Sequence, residues 1–211
     1  MNGIYFFYEE GEIWGHGGAR PRIVRIGTSK DGNFRNRIQE HFLLDETKMN
    51  LDKNKPPPSA RSIFRKNIGR VLLNKRNDPY LEIWNIDFTK KHNREEKGAF
   101  RDIPKEIELE AEITAIIREK FSFRFFVLEG QKKRMGREGL ETSLIGTVAR
   151  CELGKPSEGW LGRYSPVKKI NSGKLWQVQN LEANTINEDD QEVILDAIEK
   201  TVGWNREVGL E

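Results

Sequence analysis

Glu141 is the first candidate for chemistry, because its place in a helical pattern conflicts with its charge. Residues 138–151 have helical spacing, with an apolar arc that includes Leu140 and Leu144. At about 100° per residue, Glu141 falls inside that arc. An ionised carboxylate there needs a partner, because burying it alone is costly. The sequence leaves two partners open, a buried ion pair with an arginine such as Arg37 or a metal ion.

A second pair of candidates lies on an earlier helix. This helix is predicted by apolar residues at every fourth position, Phe34, Ile38 and Phe42. Arg37 and His41 flank the apolar arc, and their spacing of four residues places them one turn apart. Their side chains therefore lean over the same neighbouring surface.

The charge of the chain is unevenly distributed along its length. The net charge is +3, but residues 16–76 hold fifteen Lys and Arg against five Asp and Glu, an excess of ten positive charges. Residues 179–211 hold two against nine, an excess of seven negative charges. An anionic partner for the basic segment and a protein partner for the acidic tail are both consistent with this polarity.

Composition excludes several classes of protein. The chain has 211 residues, of which 36% are hydrophobic and 33% charged, and no apolar run approaches the length of a membrane helix. Cys151 is the only cysteine, which excludes an internal disulfide and a cysteine-rich zinc site. Because no basic leader precedes the first apolar run, we expect a cytoplasmic protein without a membrane partner.

The strands and helices predicted around the candidate residues indicate an α/β fold. Strands are expected at residues 4–8, 22–28 and 121–128, with a further short strand at 175–178. We therefore expect a small, mainly antiparallel central sheet flanked by helices, with a helical insertion and a C-terminal extension. The whole chain, 1–211, is interpreted as one domain, with its core in 1–42 and 121–151, an insertion at 43–120 and an elaboration at 152–211.

Several of these residues together resemble a known family. Gly3-Ile4-Tyr5 lies in the first strand, and Arg25-Ile26-Gly27-Thr28 ends the second. Arg37 and His41 follow on a helix, and Leu140-Glu141 lies on a helix after a strand. This order is similar to that of the GIY-YIG nucleases. The resemblance covers the first 42 residues and roughly 121–151.

The resemblance implies a metal-dependent endonuclease that hydrolyses DNA phosphodiester bonds, usually with magnesium. Tyr5 matches the tyrosine that deprotonates or orients the attacking water, and Arg37 matches the arginine that clamps the phosphate. Glu141 matches the glutamate that binds the metal, where one carboxylate completed by water and phosphate is a normal magnesium environment. His41 matches a histidine that assists the tyrosine or contacts the phosphate. These side chains must then converge on one pocket.

Two departures from the family pattern leave alternatives open. Arg25 stands where the family most often has a second tyrosine, and a guanidinium beside Tyr5 would favour its phenolate. The family asparagine is not visible near residues 154–162. A catalytically degenerate nucleic-acid-binding module of the same fold is therefore the alternative function. Glu112 is a competing acidic residue, although Glu141 has the better strand and helix context.

The remaining expectations concern partners. DNA is the expected partner, and Arg61, Arg65 and Lys66, on the polar face of an amphipathic helix, are the expected nucleic-acid contacts. Cutting both strands of a duplex needs two active sites or repositioning, which leaves a homodimer open. A third interpretation is a toxin or repair accessory whose acidic C-terminal tail recruits a protein.

Overall fold

The structure is a computed structural model that describes residues 2–29, 33–128 and 139–207. By their contacts the residues form two compact units. The sheet unit contains Met1–Phe34, Ser122–Gly159 and Gln177–Glu211, and the helical unit contains Arg35–Phe121 and Trp160–Trp176. The interpretation of the whole chain as one domain stays a prediction.

The elements of the described residues follow a simple order along the chain. Two strands come first, then six helices, a third strand and three further helices. In order they are β1 (Gly3–Ile13), β2 (Pro21–Ser29), α1 (Phe34–Phe42), α2 (Pro58–Arg61), α3 (Ile63–Lys75), α4 (Leu81–Asn85), α5 (Lys91–Lys97), α6 (Ile103–Lys120), β3 (Phe121–Val127), α7 (Leu140–Arg150), α8 (Lys168–Asn171) and α9 (Glu188–Glu207). Short 3-10 helices lie at Glu46–Met49, Gly98–Phe100 and Leu161–Tyr164.

The central sheet has three strands in the order β2-β1-β3 and is antiparallel. The first part of β1 is aromatic and β-branched and mostly buried, and β2 contributes Ile23, Val24 and Ile26. In the register of β1 and β2, Tyr5 lies opposite Gly27 and Phe7 opposite Arg25, and irregularities follow beyond Phe7. The early part of this hairpin therefore fixes which side chains share a face.

The β1–β2 hairpin is braced near its loop. Glu12 and Arg22 form an ion pair in which each side chain is only 2% exposed, and Arg22 Nε donates to Glu12 Oε2 at 3.0 Å. Glu12 also accepts a hydrogen bond from the backbone N of Ser157 at 3.2 Å. Removing one partner of such a buried pair would leave an uncompensated charge, so the pair holds the end of the hairpin in one arrangement.

The helical unit is built around α3, which is buried on most of its surface. Ser62 caps its N-terminus by accepting a hydrogen bond from the Arg65 backbone N, at 3.3 Å. Phe64 packs edge to face against Phe121 and Trp176, at ring-centroid distances of 5.1 and 6.1 Å. This aromatic contact joins the start of β3 and the 160–176 segment to the same core.

The structure confirms the predicted fold class and corrects one element. The three-stranded sheet with flanking helices and a run of helices between β2 and β3 agrees with the expectation. The prediction of a strand at residues 175–178 is wrong, because this segment is irregular. Leu175 and Trp176 are buried by packing rather than by sheet pairing. Within the described residues, no helix combines the length and apolar character needed to cross a membrane.

Candidate functional site

Tyr5 lies buried in the sheet unit, where its phenol covers Gly27. The side chain is 1% exposed, and its ring packs against Phe7 and Phe34 at centroid distances of 5.3 and 6.1 Å. A β-carbon built at residue 27 would overlap the hydroxyl of Tyr5 and would lie 2.7 Å from its ring carbon Cε2. The absence of a side chain at Gly27 is therefore what makes room for the Tyr5 phenol.

Glu141 lies in the first turn of α7, beside the end of β2. Its Oε2 accepts a hydrogen bond from the hydroxyl of Thr28, at 2.9 Å. Thr28 follows Gly27 directly in β2, so the residue that Glu141 contacts is the chain neighbour of the glycine that Tyr5 covers, although successive side chains of a strand point to opposite faces. The sheet unit thus brings together residues from the first strand, the second strand and a helix more than a hundred positions later.

The environment of Glu141 differs from the ion pair that the sequence left open. Its side chain is neither fully buried nor fully exposed, and among residues 2–29, 33–128 and 139–207 it forms no ion pair. One carboxylate that solvent reaches, with a neighbouring hydroxyl, fits a magnesium ion that keeps most of its water ligands. The described residues contain no cluster of three acidic, histidine or cysteine side chains, so a metal here would depend on Glu141 and non-protein oxygens.

Arg25 is on the same face of the sheet as Tyr5. Residues opposite each other in an antiparallel pair share a face, and every second residue along a strand does so too. The pairs Tyr5 with Gly27 and Phe7 with Arg25 therefore place all four on one face. Arg25 is only 7% exposed. Its proposed electrostatic effect on the Tyr5 phenol stays a prediction.

Arg37 belongs to the helical unit, where it lines an open pocket of about 600 Å³. Its Nη1 donates to Glu40 Oε2 and to the backbone O of Arg61, both at 3.0 Å. The pocket is also lined by Arg61 and Arg94, so three guanidinium groups and one carboxylate face it. Such a surface attracts anions, and a planar arginine fork matches the oxygens of a phosphate.

Arg94 is the residue of this pocket that sequence reasoning missed. It lies on α5, a short helix whose sequence reads as an ordinary charged surface. The structure shows Arg94 Nη1 donating to the backbone oxygens of Phe88 and Thr89, at 2.6 and 2.7 Å. These bonds hold one edge of the guanidinium, and the side chain lines the pocket. No local sequence pattern signals this, because the pocket depends on tertiary packing.

His41 is placed differently from what its expected role suggests. It is 0% exposed, its Nδ1 lies 2.8 Å from Ser62 Oγ, and its ring packs edge to face on Phe64. These contacts tie α1 to the start of α3 within the helical unit. A direct contact between this imidazole and a phosphate in solvent would require the surrounding core to open.

Two of the three expected nucleic-acid contacts, Arg65 and Lys66, are buried side chains of α3. Arg65 is 0% exposed and binds Glu110, which is also 0% exposed, with Nη2 2.6 Å from Oε2. Lys66 is 7% exposed and donates to the backbone O of Ile86 at 2.7 Å. Burial lowers the pKa of Lys66 to about 8. Neither side chain has a surface to offer DNA, whereas Arg61 is exposed beside Arg37.

The competing acidic residue, Glu112, has a structural partner of its own. It lies on α6 in the helical unit and forms an ion pair with Arg76, at a surface where the two side chains are 35% and 52% exposed. A half-exposed pair of this kind contributes little stability. Glu112 belongs to the helical unit, whereas Tyr5 belongs to the sheet unit. Glu141 therefore remains the better candidate for the acidic role.

Comparison with known proteins completes the identification. The family profile described as GIY-YIG domain matches residues 1–207, nearly the whole chain. Comparisons with curated proteins and with solved structures give no significant match. GIY-YIG domains are generally found in endonucleases, which points to a nuclease-type function. On the strength of a match over almost its full length, this chain belongs to the GIY-YIG domain family.

Proposed function

We propose that this chain is a metal-dependent endonuclease that hydrolyses phosphodiester bonds in DNA. The observation that carries the proposal is the contact between Thr28 and Glu141, 2.9 Å long, beside the glycine that Tyr5 covers. This contact links the second strand to the acidic helix, and the approach of Tyr5 to Gly27 links the first strand to the second. The arginine pocket around Arg37 adds a place for a phosphate in the helical unit.

Tyr5, Arg37 and Glu141 are each assigned one role in this proposal. Tyr5 orients the attacking water through its phenol, which its packing holds against Gly27. Arg37 binds oxygens of the scissile phosphate, since its fork remains charged at every physiological pH. Glu141 holds a divalent cation, for which we propose magnesium, and Thr28 fixes the orientation of its carboxylate. A divalent ion held by Glu141 would supply charge stabilisation to the phosphate oxygens.

Affinity for DNA is proposed to come from Arg37, Arg61 and Arg94 and from the basic segment around them. Contacts between arginines and phosphates release counterions, so binding weakens steeply as salt increases. Retention on DNA that is insensitive to salt between low and physiological concentration would show that this segment is not the contact surface.

Nicking of a supercoiled plasmid tests the activity. We expect nicking with magnesium, none with a chelator, and a rate at least about 100-fold lower in Arg37→Ala, because a guanidinium that stabilises transition-state charge contributes several kcal/mol. The control is Arg150→Ala, an exposed arginine in the sheet unit that does not line the Arg37 pocket. Equal nicking by the two variants would contradict the role of Arg37.

A second candidate function is a DNA-binding module of the same fold without catalysis. It is favoured by Arg25 in place of the second tyrosine and by the full burial of His41. The two candidates differ in one outcome. Salt-sensitive DNA binding with no magnesium-dependent nicking by the wild-type protein would favour the binding module, and nicking that Arg37→Ala abolishes would favour the enzyme.

A further inference from the structure

A second arginine-containing pocket lies in the sheet unit, away from Tyr5 and Glu141 along the strands. It is open, has a volume of about 930 Å³, and is formed by the loop between β1 and β2 together with the start of β3. The residues that matter for its chemistry are Tyr8, Trp14, His16, Arg20 and Arg124. This set combines flat aromatic surfaces with positive charge, and no acidic residue lines the pocket.

Two aromatic side chains of this pocket, Trp14 and His16, lie close together. Trp14 and His16 have ring centroids 5.1 Å apart, and Trp14 is only partly exposed. The indole N–H of Trp14 is buried and has no hydrogen-bond acceptor within the described parts of the chain. Buried donors are almost always satisfied, so an acceptor for this N–H must come from a ligand or from residues outside the described ranges.

The two guanidinium groups of the pocket are accessible to a ligand. Arg20 and Arg124 are both exposed, and within the described ranges the guanidinium of neither residue forms an ion pair or a hydrogen bond. The guanidinium of Arg124 lies over the ring of Tyr8, 5.9 Å from its centroid. Burial raises the pKa of Tyr8, against a smaller opposing effect of Arg124, so the phenol stays neutral and does not cancel the arginine charge.

The hairpin that carries the pocket is held in shape before any ligand binds. The Glu12–Arg22 ion pair joins β1 and β2 next to the loop. Within the loop, the backbone N of Trp14 donates to the backbone O of Arg20 at 2.8 Å. A β-carbon at Gly15 would overlap the backbone of Leu153, so the loop lies directly against the segment after α7. A site that is already ordered loses less entropy on binding.

We propose that this pocket binds an unpaired nucleotide of the DNA substrate, with the base on Trp14 and Tyr8 and the adjoining phosphates on Arg20 and Arg124. Stacking on aromatic rings beside cationic groups is the general way in which proteins hold single-stranded DNA. A base inside a duplex has both faces stacked and cannot reach these rings. The proposal rests on the proposed function, since it assigns the enzyme a preference for DNA with an unpaired segment next to the cut.

Fluorescence anisotropy with a short labelled oligothymidylate and with a blunt duplex tests the pocket. Both are measured in chelator, so that no cleavage occurs. We expect Trp14→Leu to weaken single-strand binding about 5- to 150-fold, the range measured for loss of one base-stacking aromatic. The double variant Arg20→Gln/Arg124→Gln, at two exposed positions, should weaken it as well, whereas the control Arg150→Gln should bind both DNAs as the wild type does.

The outcomes separate this proposal from the proposed function. Loss of single-strand affinity in both pocket variants, with duplex affinity no more changed than in the control, supports the pocket. Equal weakening for both DNAs, or unchanged affinity in the double arginine variant, overturns it. Nicking by the wild-type protein is scored separately. If the wild type does not cut but the variants lose single-strand binding, the pocket holds and the nuclease proposal fails.

Discussion

Replacing Gly27 with alanine is the perturbation that the structure predicts most sharply. The added β-carbon would overlap the hydroxyl of Tyr5 and lie 2.7 Å from its Cε2, where carbon atoms normally stay about 3.5–4.0 Å apart. Tyr5 cannot swing into solvent, because it is 1% exposed and packed between Phe7 and Phe34. The core must therefore absorb a shift of close to an ångström.

The expected cost follows from comparable overpacking in other protein cores. Inserting one carbon into a well-packed core costs about 1–3 kcal/mol. For a chain of 211 residues, each kcal/mol corresponds to a fall in Tm of about 2–4 °C, so Gly27→Ala should lower Tm by about 2–12 °C. Plasmid nicking should fall more than stability alone explains, because the displaced phenol is the proposed water-orienting group.

The assay is thermal unfolding followed by circular dichroism, with Gly203→Ala as a matched control. Gly203 lies in α9, and a β-carbon there meets nothing within 4 Å, so alanine should leave stability unchanged or raise it by about 0.5–1 kcal/mol. In a Tyr5→Ala background, Gly27→Ala should cost less than in the wild type, because the clash has been removed. Equal costs in both backgrounds, or a Tm of Gly27→Ala like that of the control, would refute the close approach.

Three further predictions concern the helical unit. Glu110→Gln should destabilise the protein by about 3–5 kcal/mol because it leaves the buried Arg65 uncompensated, while Glu112→Gln, on a half-exposed pair of the same helix, should cost less than about 1 kcal/mol, as urea unfolding would show. Lys66 has a pKa of about 8 in the folded protein and 10.5 as its ordinary value, so the unfolded chain binds more protons between these pH values. The stability of the wild type relative to Lys66→Met should therefore rise from pH 8 to pH 10.5. A constant difference in stability would contradict this. Arg61→Gln and Arg94→Gln should each reduce the slope of log affinity for DNA against log salt by about one, and an unchanged slope would remove that arginine from the interface.

Much of the fold was predictable because it depends on local patterns. The runs of aromatic and β-branched residues that form β1 and β3 are strand signals in any context, and the apolar spacing from Phe34 correctly predicted α1. Residues 175–178 misled the same reasoning. Their apolar character reflects burial of Leu175 and Trp176 in an irregular segment, which a short run cannot distinguish from a strand.

The candidate site was less predictable, because its contacts are tertiary. An amphipathic pattern marked Arg65 and Lys66 as surface residues, but α3 is packed on both sides, and Glu110 on α6 compensates the buried arginine. The same limit applies to Glu141. Helical spacing showed that it needs a partner, yet only the structure shows that Thr28 donates the hydrogen bond. Arg94 had no signal in its local sequence at all.

The most direct test of the central claim is a magnesium titration of plasmid nicking by the wild type, Glu141→Gln and Glu152→Gln. Glu152 is exposed just beyond α7 and serves as the matched control. If Glu141 holds the catalytic ion, its amide variant should nick at least about 100-fold more slowly at any magnesium concentration, because the ion supplies several kcal/mol of charge stabilisation. The control should follow the wild-type curve. Identical titration curves for all three proteins, or nicking that needs no divalent cation, would contradict the account.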